Sequence, residues 1–181
     1  MKKYKTVKGA AAKAKGSRAE RQWRDELKRI YKDAKLHDKI KRVPMSGASW
    51  MKGDVVDLND YDSLYEVKNQ ETLTIPDWWR QTKREAGASR TPILVITQNH
   101  RPFYVFMEEP ALEAMMMAAG VNNMGHVTKW KMQSGLLDAI DKINQYDYVL
   151  AEVGIKDSIT LAAIKGESYI QLKKMLTNNE H

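Results

Sequence analysis

The chain has 181 residues, the length of one domain or of one domain with an appendage, and its 43% hydrophobic and 29% charged residues are typical of a folded protein. It contains no cysteine, which excludes disulfide frameworks, cysteine-ligated zinc sites and catalysis by a thiol. Lysine and arginine outnumber aspartate and glutamate by 30 to 23, so the net charge is +7, which favours an acidic partner.

The sequence contains no segment suited to a membrane. No apolar run approaches the roughly 18 residues of a transmembrane helix, and the N-terminal residues lack the apolar core of a signal peptide. We therefore expect a cytoplasmic protein without membrane contact. A virus and a cellular genome are equally suitable origins for such a chain.

The first 16 residues are strongly basic, with six lysines and no acidic residue. Such a segment predicts a mobile arm that binds a polyanion, of which a nucleic-acid backbone is the commonest. The alternative is a solubilising tail, and charge alone does not choose between them.

A helix is predicted from residue 17 to about residue 34, because four large side chains recur at helical spacing: Trp23, Leu27, Ile30 and Tyr31. Proline and glycine then predict a loop over residues 41–53. Two short strands at 54–58 and 64–69, joined by a polar turn, predict a β-hairpin.

The middle of the chain predicts a second helix and a second pair of strands. Pro76 lies in the first turn of the helix, which covers residues 75–88. Strands are predicted at 92–98 and 103–107. The order of elements is α, β, β, α, β, β, which is typical of a mixed α/β domain with helices packed on a small sheet.

The C-terminal part predicts more elements of both kinds: helices at 111–119, 132–144 and 167–177, and a hairpin of strands 148–153 and 158–164. We therefore divide the chain into a basic flexible arm at 1–16, a core at 17–109 and a C-terminal extension at 110–181. The extension either packs on the core or prolongs its sheet.

The first hairpin carries the residues best suited to catalysis. Glu66 and Lys68 share a face of their strand, because side chains alternate along a strand. Asp54 joins that face if paired residue numbers add up to 120 or 122, which a loop of three or five residues centred on Asp60 or Tyr61 allows. Carboxylates that hold Mg²⁺ and a cation near a phosphate suit phosphodiester hydrolysis. The alternative is an ordinary ion pair on a solvated strand.

Glu20 is a fourth candidate. It falls within the apolar arc of the first helix and should face the sheet, where a carboxylate is costly unless it is paired or bound to a metal. The alternative is a capping box, in which Ser17 and Glu20 close the start of the helix.

Four segments resemble the archaeal-type Holliday junction resolvases of the PD-(D/E)xK nuclease superfamily: KGSRAER at 15–21, RVPMSGAS at 42–49, GDVVDL at 53–58 and YEVKNQ at 65–70. The resemblance spans roughly residues 15–107. It implies a restriction-endonuclease-like fold, with a central mixed β-sheet flanked by helices and here an extra C-terminal α/β segment. Gly53 departs from the family, which usually has proline before the metal-binding aspartate.

The resemblance also implies a role for each matching residue. It implies Mg²⁺, or equally Mn²⁺, bound by the carboxylates of Glu20, Asp54 and Glu66 and the carbonyl of Val67. Three further residues have implied roles: Lys68 orients the water, Arg42 engages phosphate, and Ser46 is the loop serine needed for cleavage. Gln81 is where many members of the superfamily place a glutamine beside the active site.

Basic residues near these motifs predict the path of DNA: Lys13, Lys15, Arg18, Arg21, Lys41, Arg42 and Lys52. The predicted function is a metal-dependent, structure-selective endodeoxyribonuclease. It would resolve four-way DNA junctions by paired nicks as a homodimer. The alternatives are another PD-(D/E)xK nuclease of repair or restriction type, and a basic DNA-binding protein without catalysis.

Overall fold

The computed structural model describes residues 3–43, 52–121, 127–131, 134–154 and 158–179, with side chains from residue 9 to residue 178. The predicted loop serine, Ser46, lies outside the described residues. Within the described ranges, no helix is both long enough and apolar enough to cross a membrane.

Helices and strands alternate along the chain. The helices are α1 (Lys3–Lys28), α2 (Ala34–His37), α3 (Ile75–Ala86), α4 (Glu109–Ala118), α5 (Leu136–Asp141) and α6 (Gly166–Asn179). The strands are β1 (Ile40–Arg42), β2 (Val55–Asp57), β3 (Ser63–Asn69), β4 (Thr91–Thr97), β5 (Tyr104–Met107), β6 (Val127–Trp130), β7 (Tyr148–Val153) and β8 (Ile159–Lys165).

The strands of the described chain form one mixed sheet in the order β1-β2-β3-β4-β5-β8-β7-β6. β3 and β4 are parallel and are joined by α3, as parallel neighbours require a crossover connection. The C-terminal strands continue this sheet, because β8 pairs with β5. The structure confirms the predicted mixed α/β architecture with an additional C-terminal α/β segment.

Helices cover both faces of the sheet. On one face, α1, α4 and α6 bury a core that includes Tyr65 and Val67 of β3. On the other face, α3 and α5 bury a second core that includes Leu94 and Ile96 of β4. Glu66 lies between Tyr65 and Val67 in β3, so it projects toward the face that α3 covers.

The first helix begins much earlier than predicted. α1 starts at Lys3 rather than at residue 17, so residues 3–16, which were expected to form a flexible arm, are helical. Alanine and lysine both have high helix propensity, which supports a helix without an apolar stripe. Residues 9–14 are nevertheless exposed, so this half of α1 extends beyond the packed part of the molecule.

Two short strands were not predicted. β1 occupies residues that were expected to form a loop, and β6 has no counterpart among the predicted elements. α5 is also shorter than the predicted helix over 132–144. Strands of three or four residues carry too little periodicity to be recognised from sequence, because their pairing partners lie far away in the chain.

The register of the first hairpin is as predicted. Val55 of β2 lies opposite Tyr65 of β3, so paired residue numbers add up to 120. The five residues 58–62 connect the two strands and are centred on Asp60. This register directs Asp54 and Glu66 toward the same face of the sheet.

Candidate active site

Asp54 lies at the point where β2 separates from β3. Its backbone N–H donates to the carbonyl of Tyr65 at 2.8 Å, and its Oδ2 accepts the backbone N–H of Val67 at 2.8 Å. Where β2 no longer pairs with β3, the Asp54 carboxylate accepts the backbone hydrogen bond that a paired strand would otherwise accept. Because one oxygen is held by the backbone, the position of the Asp54 side chain is fixed relative to β3.

Gly53 allows the backbone conformation at the point where β2 separates from β3. Its φ is +91°, and a Cβ atom at this position would lie 3.1 Å from both Leu64 Cγ and the Tyr65 carbonyl oxygen. Proline cannot adopt a positive φ. The glycine before the predicted metal-binding aspartate is therefore required by the local backbone of this chain.

Glu66 and Lys68 form a largely buried ion pair on β3. Lys68 Nζ donates to Glu66 Oε1, and the side chains are 19% and 2% exposed for Lys68 and Glu66. Glu66 Oε2 is buried without a hydrogen-bond partner among the described residues. A buried carboxylate oxygen without a partner is costly, so this atom is available to bind a cation.

Gln81 joins the ion pair from α3. Its Oε1 accepts from Lys68 Nζ at 3.2 Å, and its Nε2 donates to Glu66 Oε1 at 2.9 Å. The amide thus contacts both charged groups at once. The predicted glutamine is the residue that fixes the relative orientation of the lysine and the glutamate.

Glu85, one turn after Gln81 on α3, was missed by the sequence analysis. Its Oε1 accepts from Gln81 Nε2 at 3.0 Å, and its Oε2 accepts from the backbone N–H of Gly53 at 3.3 Å. It therefore links α3 to the turn that carries Asp54. The four-residue spacing from Gln81 is the signal that could have identified it, because residues four apart share a helix face.

The ionised forms of the two central carboxylates, Asp54 and Glu66, are disfavoured by their surroundings. Burial, followed by the charge of Glu20, raises the pKa of Asp54 to about 6, although the bond from Val67 opposes the shift. Burial, followed by the charge of Asp54, raises the pKa of Glu66 to about 7, although Lys68 opposes the shift. A single lysine does not neutralise this cluster of acids, and a further cation would stabilise their ionised forms.

Glu20 lies on α1, which packs on the face of the sheet opposite α3, but its charge still acts on Asp54 and raises the pKa of that carboxyl group. Its Oε2 accepts from Arg42 Nε, and Arg42 also donates to Ser17 Oγ at 2.9 Å. Ser17 lies in the interior of α1, so the alternative of a capping box is wrong. Glu20 is instead one partner of an ion pair that ties α1 to β1.

The residues fit a divalent cation at Asp54 and Glu66. The pKa values of both carboxyl groups are raised and Glu66 Oε2 has no hydrogen-bond partner among the described residues, so a nearby cation would stabilise the ionised site. Carboxylate oxygens are suitable ligands for Mg²⁺. The described residues contain no ready cluster of three or more acidic or histidine ligands. Glu20, the third predicted carboxylate, is held by Arg42 in this arrangement.

The predicted DNA-binding residues fall into two groups. Four of them are exposed: Lys13, Arg18, Arg21 and Lys41. The other three are partly buried: Lys15 binds Glu71 at 2.7 Å, Arg42 binds Glu20, and the backbone carbonyl of Lys52 accepts from Arg90 at 3.5 Å. The exposed cations are the ones with a surface free to contact phosphate.

One comparison with known proteins finds a match for this chain. The model of a protein family described as phage putative PDDEXK endonuclease matches residues 11–160. No curated protein and no solved structure matches the chain. The matched range includes the hairpin of β2 and β3, α3 and most of the C-terminal α/β segment.

Proposed function

The chain belongs to the family of phage putative PDDEXK endonucleases, and from that membership we propose a metal-dependent DNA endonuclease that acts through Asp54, Glu66, Lys68 and Gln81. Its central mixed sheet flanked by helices agrees with the restriction-endonuclease-like fold of the superfamily. One observation carries the assignment of residues: Lys68 is held between Glu66 and Gln81, on the face toward which Asp54 is directed.

PD-(D/E)xK nucleases typically use divalent metals, and we propose Mg²⁺, for which Mn²⁺ is a chemical substitute. Asp54 and Glu66 would hold the ion, together with the Val67 carbonyl that the sequence resemblance implies. When bound, such an ion neutralises charge on the phosphate and lowers the pKa of a coordinated water.

The side chains of this site divide the remaining tasks. The Lys68 ammonium lies where it can stabilise negative charge that develops on the scissile phosphate. Gln81 restricts the lysine to one orientation, and Glu85 in turn restricts Gln81. We propose water as the nucleophile, with 5′-phosphate and 3′-hydroxyl products.

The proposed substrate is a four-way DNA junction, cut by a homodimer in which each subunit nicks one strand. The support is the resemblance of residues 15–21 to junction resolvases, which is more specific than the catalytic motif alone. The structure adds that Glu20 and Arg42, both within the resembling segments, contact each other. The excess of basic residues suits recognition of backbone and shape.

Cleavage of a labelled four-way junction and of a matched linear duplex, with Mg²⁺ or with EDTA, tests this proposal. Wild type should cut the junction preferentially and only with metal. Lys68→Ala should lower the rate by roughly 100-fold or more while DNA binding persists, because a group that stabilises transition-state charge is removed. Lys129→Ala removes the same charge from the far edge of the sheet and should cut like wild type.

Each part of the proposal has its own contradicting result. Equal cutting of both substrates would leave a nuclease and exclude junction selectivity. Binding of DNA without metal-dependent cutting would instead support the alternative of a DNA-binding protein without catalysis. Unchanged cutting by Lys68→Ala would show that the reacting groups lie elsewhere.

A further inference from the structure

A polar groove of about 550 Å³ lies between α1 and the turn that joins β4 to β5. One wall consists of Lys15, Arg18 and Gln22, which follow each other at helical spacing on one flank of α1. The opposite wall is the turn itself, with Asn99 and His100. Neither the catalytic residues nor the Glu20–Arg42 pair line this groove.

The groove and the catalytic lysine lie on opposite faces of the sheet. Asn69 and Thr97 pair with each other at the ends of β3 and β4, and both line the groove. Asn69 shares the face of Tyr65 and Val67, on which α1 packs, whereas Lys68 projects to the other face. The groove therefore lies beside the ends of these two strands, and Lys68, the neighbour of Asn69, projects from the other face of the same strand.

The side chains around the groove suit a nucleic-acid backbone. Arg18 is exposed and makes no ion pair among the described residues. Gln22, Asn99 and His100 add polar groups, and Asn69 Oδ1 is a buried acceptor without a partner in the described part of the chain. Phosphate, sugar and base edges together offer both acceptors and donors.

The acidic residues at the groove do not oppose such a ligand. Asp25 and Glu26 line the end farthest along α1 from Lys15, and each is paired with an arginine: Arg24 and Arg29 respectively. Lys15 and Arg18 lie at the other end, where Lys15 is paired with Glu71 and Arg18 is exposed. A chain of phosphates is therefore favoured at that end.

The groove is held in shape by Glu71. Its Oε1 accepts from Lys15 Nζ at 2.7 Å and from the Asn99 backbone N–H at 3.2 Å, and its carbonyl accepts from Gln98 Nε2 at 2.7 Å. α1 and the turn between β4 and β5 are thus joined across one end of the groove. A ligand enters a preformed site and does not have to order these walls.

We propose that this groove binds a second DNA segment, one that continues from the segment at Lys68 and bends around the ends of β3 and β4. A straight duplex is stiff over such distances, with a persistence length of about 150 bp, so it contacts one face only. A branched or sharply bent DNA reaches both faces. The inference rests on the proposed function and supplies a structural source for selectivity toward branched DNA.

Binding measurements test the groove without depending on cleavage. The protein is Lys68→Ala in the presence of Ca²⁺, and the probes are a four-way junction, a flapped duplex and a linear duplex of matched sequence. Added Arg18→Ala should weaken binding to the preferred branched probe by about 10-fold and to the linear duplex by less than about 2-fold. The salt dependence for the branched probe should fall by about one phosphate contact. Lys129→Ala, which removes the same charge at the far edge of the sheet, should change neither affinity.

The outcomes separate the groove from the proposed substrate. A preference for the flapped duplex alone, lost in Arg18→Ala, would support the groove and overturn the four-way junction. Equal weakening on all three probes would show a general backbone contact and overturn the groove's role in branching. No change in Arg18→Ala, or no preference of the Arg18-containing protein for either branched probe, would also overturn it. Arg18 is exposed on a helix and alanine favours helices, so we expect Arg18→Ala to fold like wild type.

Discussion

At the scale of residues, Asp54 and Glu66 are unusual because burial raises the pKa of each carboxyl group above its ordinary value. Their mutual repulsion adds to the effect of burial. A site that holds ionised carboxylates so unfavourably is destabilising by itself and is stabilised by bound cations. The chemistry of the site is therefore coupled to the stability of the fold.

This coupling predicts a pH dependence of the metal-free protein. With folded pKa values of about 6 and about 7 and lower values in the unfolded chain, the folded state binds more protons between about pH 4 and pH 7. The free energy of unfolding should therefore fall as pH rises through that window, on the order of 2 kcal/mol from pH 5 to pH 8. Thermal melts in EDTA across this range measure it.

Two controls isolate the carboxylates. Asp54→Asn combined with Glu66→Gln should flatten most of the slope, because neutral amides no longer titrate. Added Mg²⁺ should raise the melting temperature of wild type most at the alkaline end, where the carboxylates are ionised. A melting temperature that rises from pH 5 to pH 8 in EDTA, with the double variant showing the same rise, would contradict the raised pKa values.

At the scale of elements, the helices and strands that could be predicted from sequence are those whose hydrophobic pattern and turn residues lie within one short segment. The hairpin register follows from the alternation of residues 64–69 and the length of the polar turn, and α3 follows from Pro76 and its apolar spacing. The start of α1 could not be located by periodicity, since residues 3–16 have no apolar stripe. β6 was missed because its pairing with β7 is a tertiary property.

The same distinction applies to the candidate site. Asp54, Glu66 and Lys68 could be grouped from sequence because one hairpin carries all three. The pairing of Glu20 with Arg42 and the link from Glu85 to Gly53 depend on how helices pack against the sheet. Those contacts join residues that no local period relates.

α6 provides an element-scale prediction, because it contacts the turn between β2 and β3. Lys173 Nζ donates to Asp60 Oδ2 in a mostly buried pair, and Ser63 Oγ donates to the same oxygen at 2.8 Å. Lys173→Met should destabilise the protein by about 2 kcal/mol, because it leaves Asp60 without its cation. Urea denaturation measures the change.

A double variant distinguishes the ion pair from packing. Adding Asp60→Asn to Lys173→Met should recover part of the loss, since the unpaired charge is removed. Lys129→Met, at an exposed position, is the matched control and should be nearly neutral. A double variant as unstable as the sum of both single variants would argue against the pair.

At the scale of the whole molecule, the C-terminal segment is part of the sheet that contains β3, the strand of Glu66 and Lys68. β8 pairs with four residues of β5, and α6 contributes Tyr169, Ile170 and Leu172 to the core beneath α1. The family match to residue 160 likewise extends into β8. The segment after Glu109 is therefore structural for the nuclease core and cannot be removed without exposing it.

We expect a fragment of residues 1–109 not to fold. Truncation would uncover the β5 edge and a large apolar surface, which costs roughly 25 cal/mol for each Å² left in water. Circular dichroism melts and limited proteolysis of the fragment, beside the full chain, measure the effect. A cooperative melt with protease resistance in the fragment would contradict this expectation.

The hydrogen bond between the hydroxyl groups of Tyr65 and Tyr169, 2.8 Å long, joins β3 to α6. A ribosome completes Asp54, Glu66 and Lys68 long before it completes α6, and chains begin to fold from their N-terminal part during synthesis. The nascent chain therefore carries every proposed reacting group before it contains the residues that hold their strand and its turn in place. We therefore expect the proposed active site to be assembled only after α6 has been synthesised.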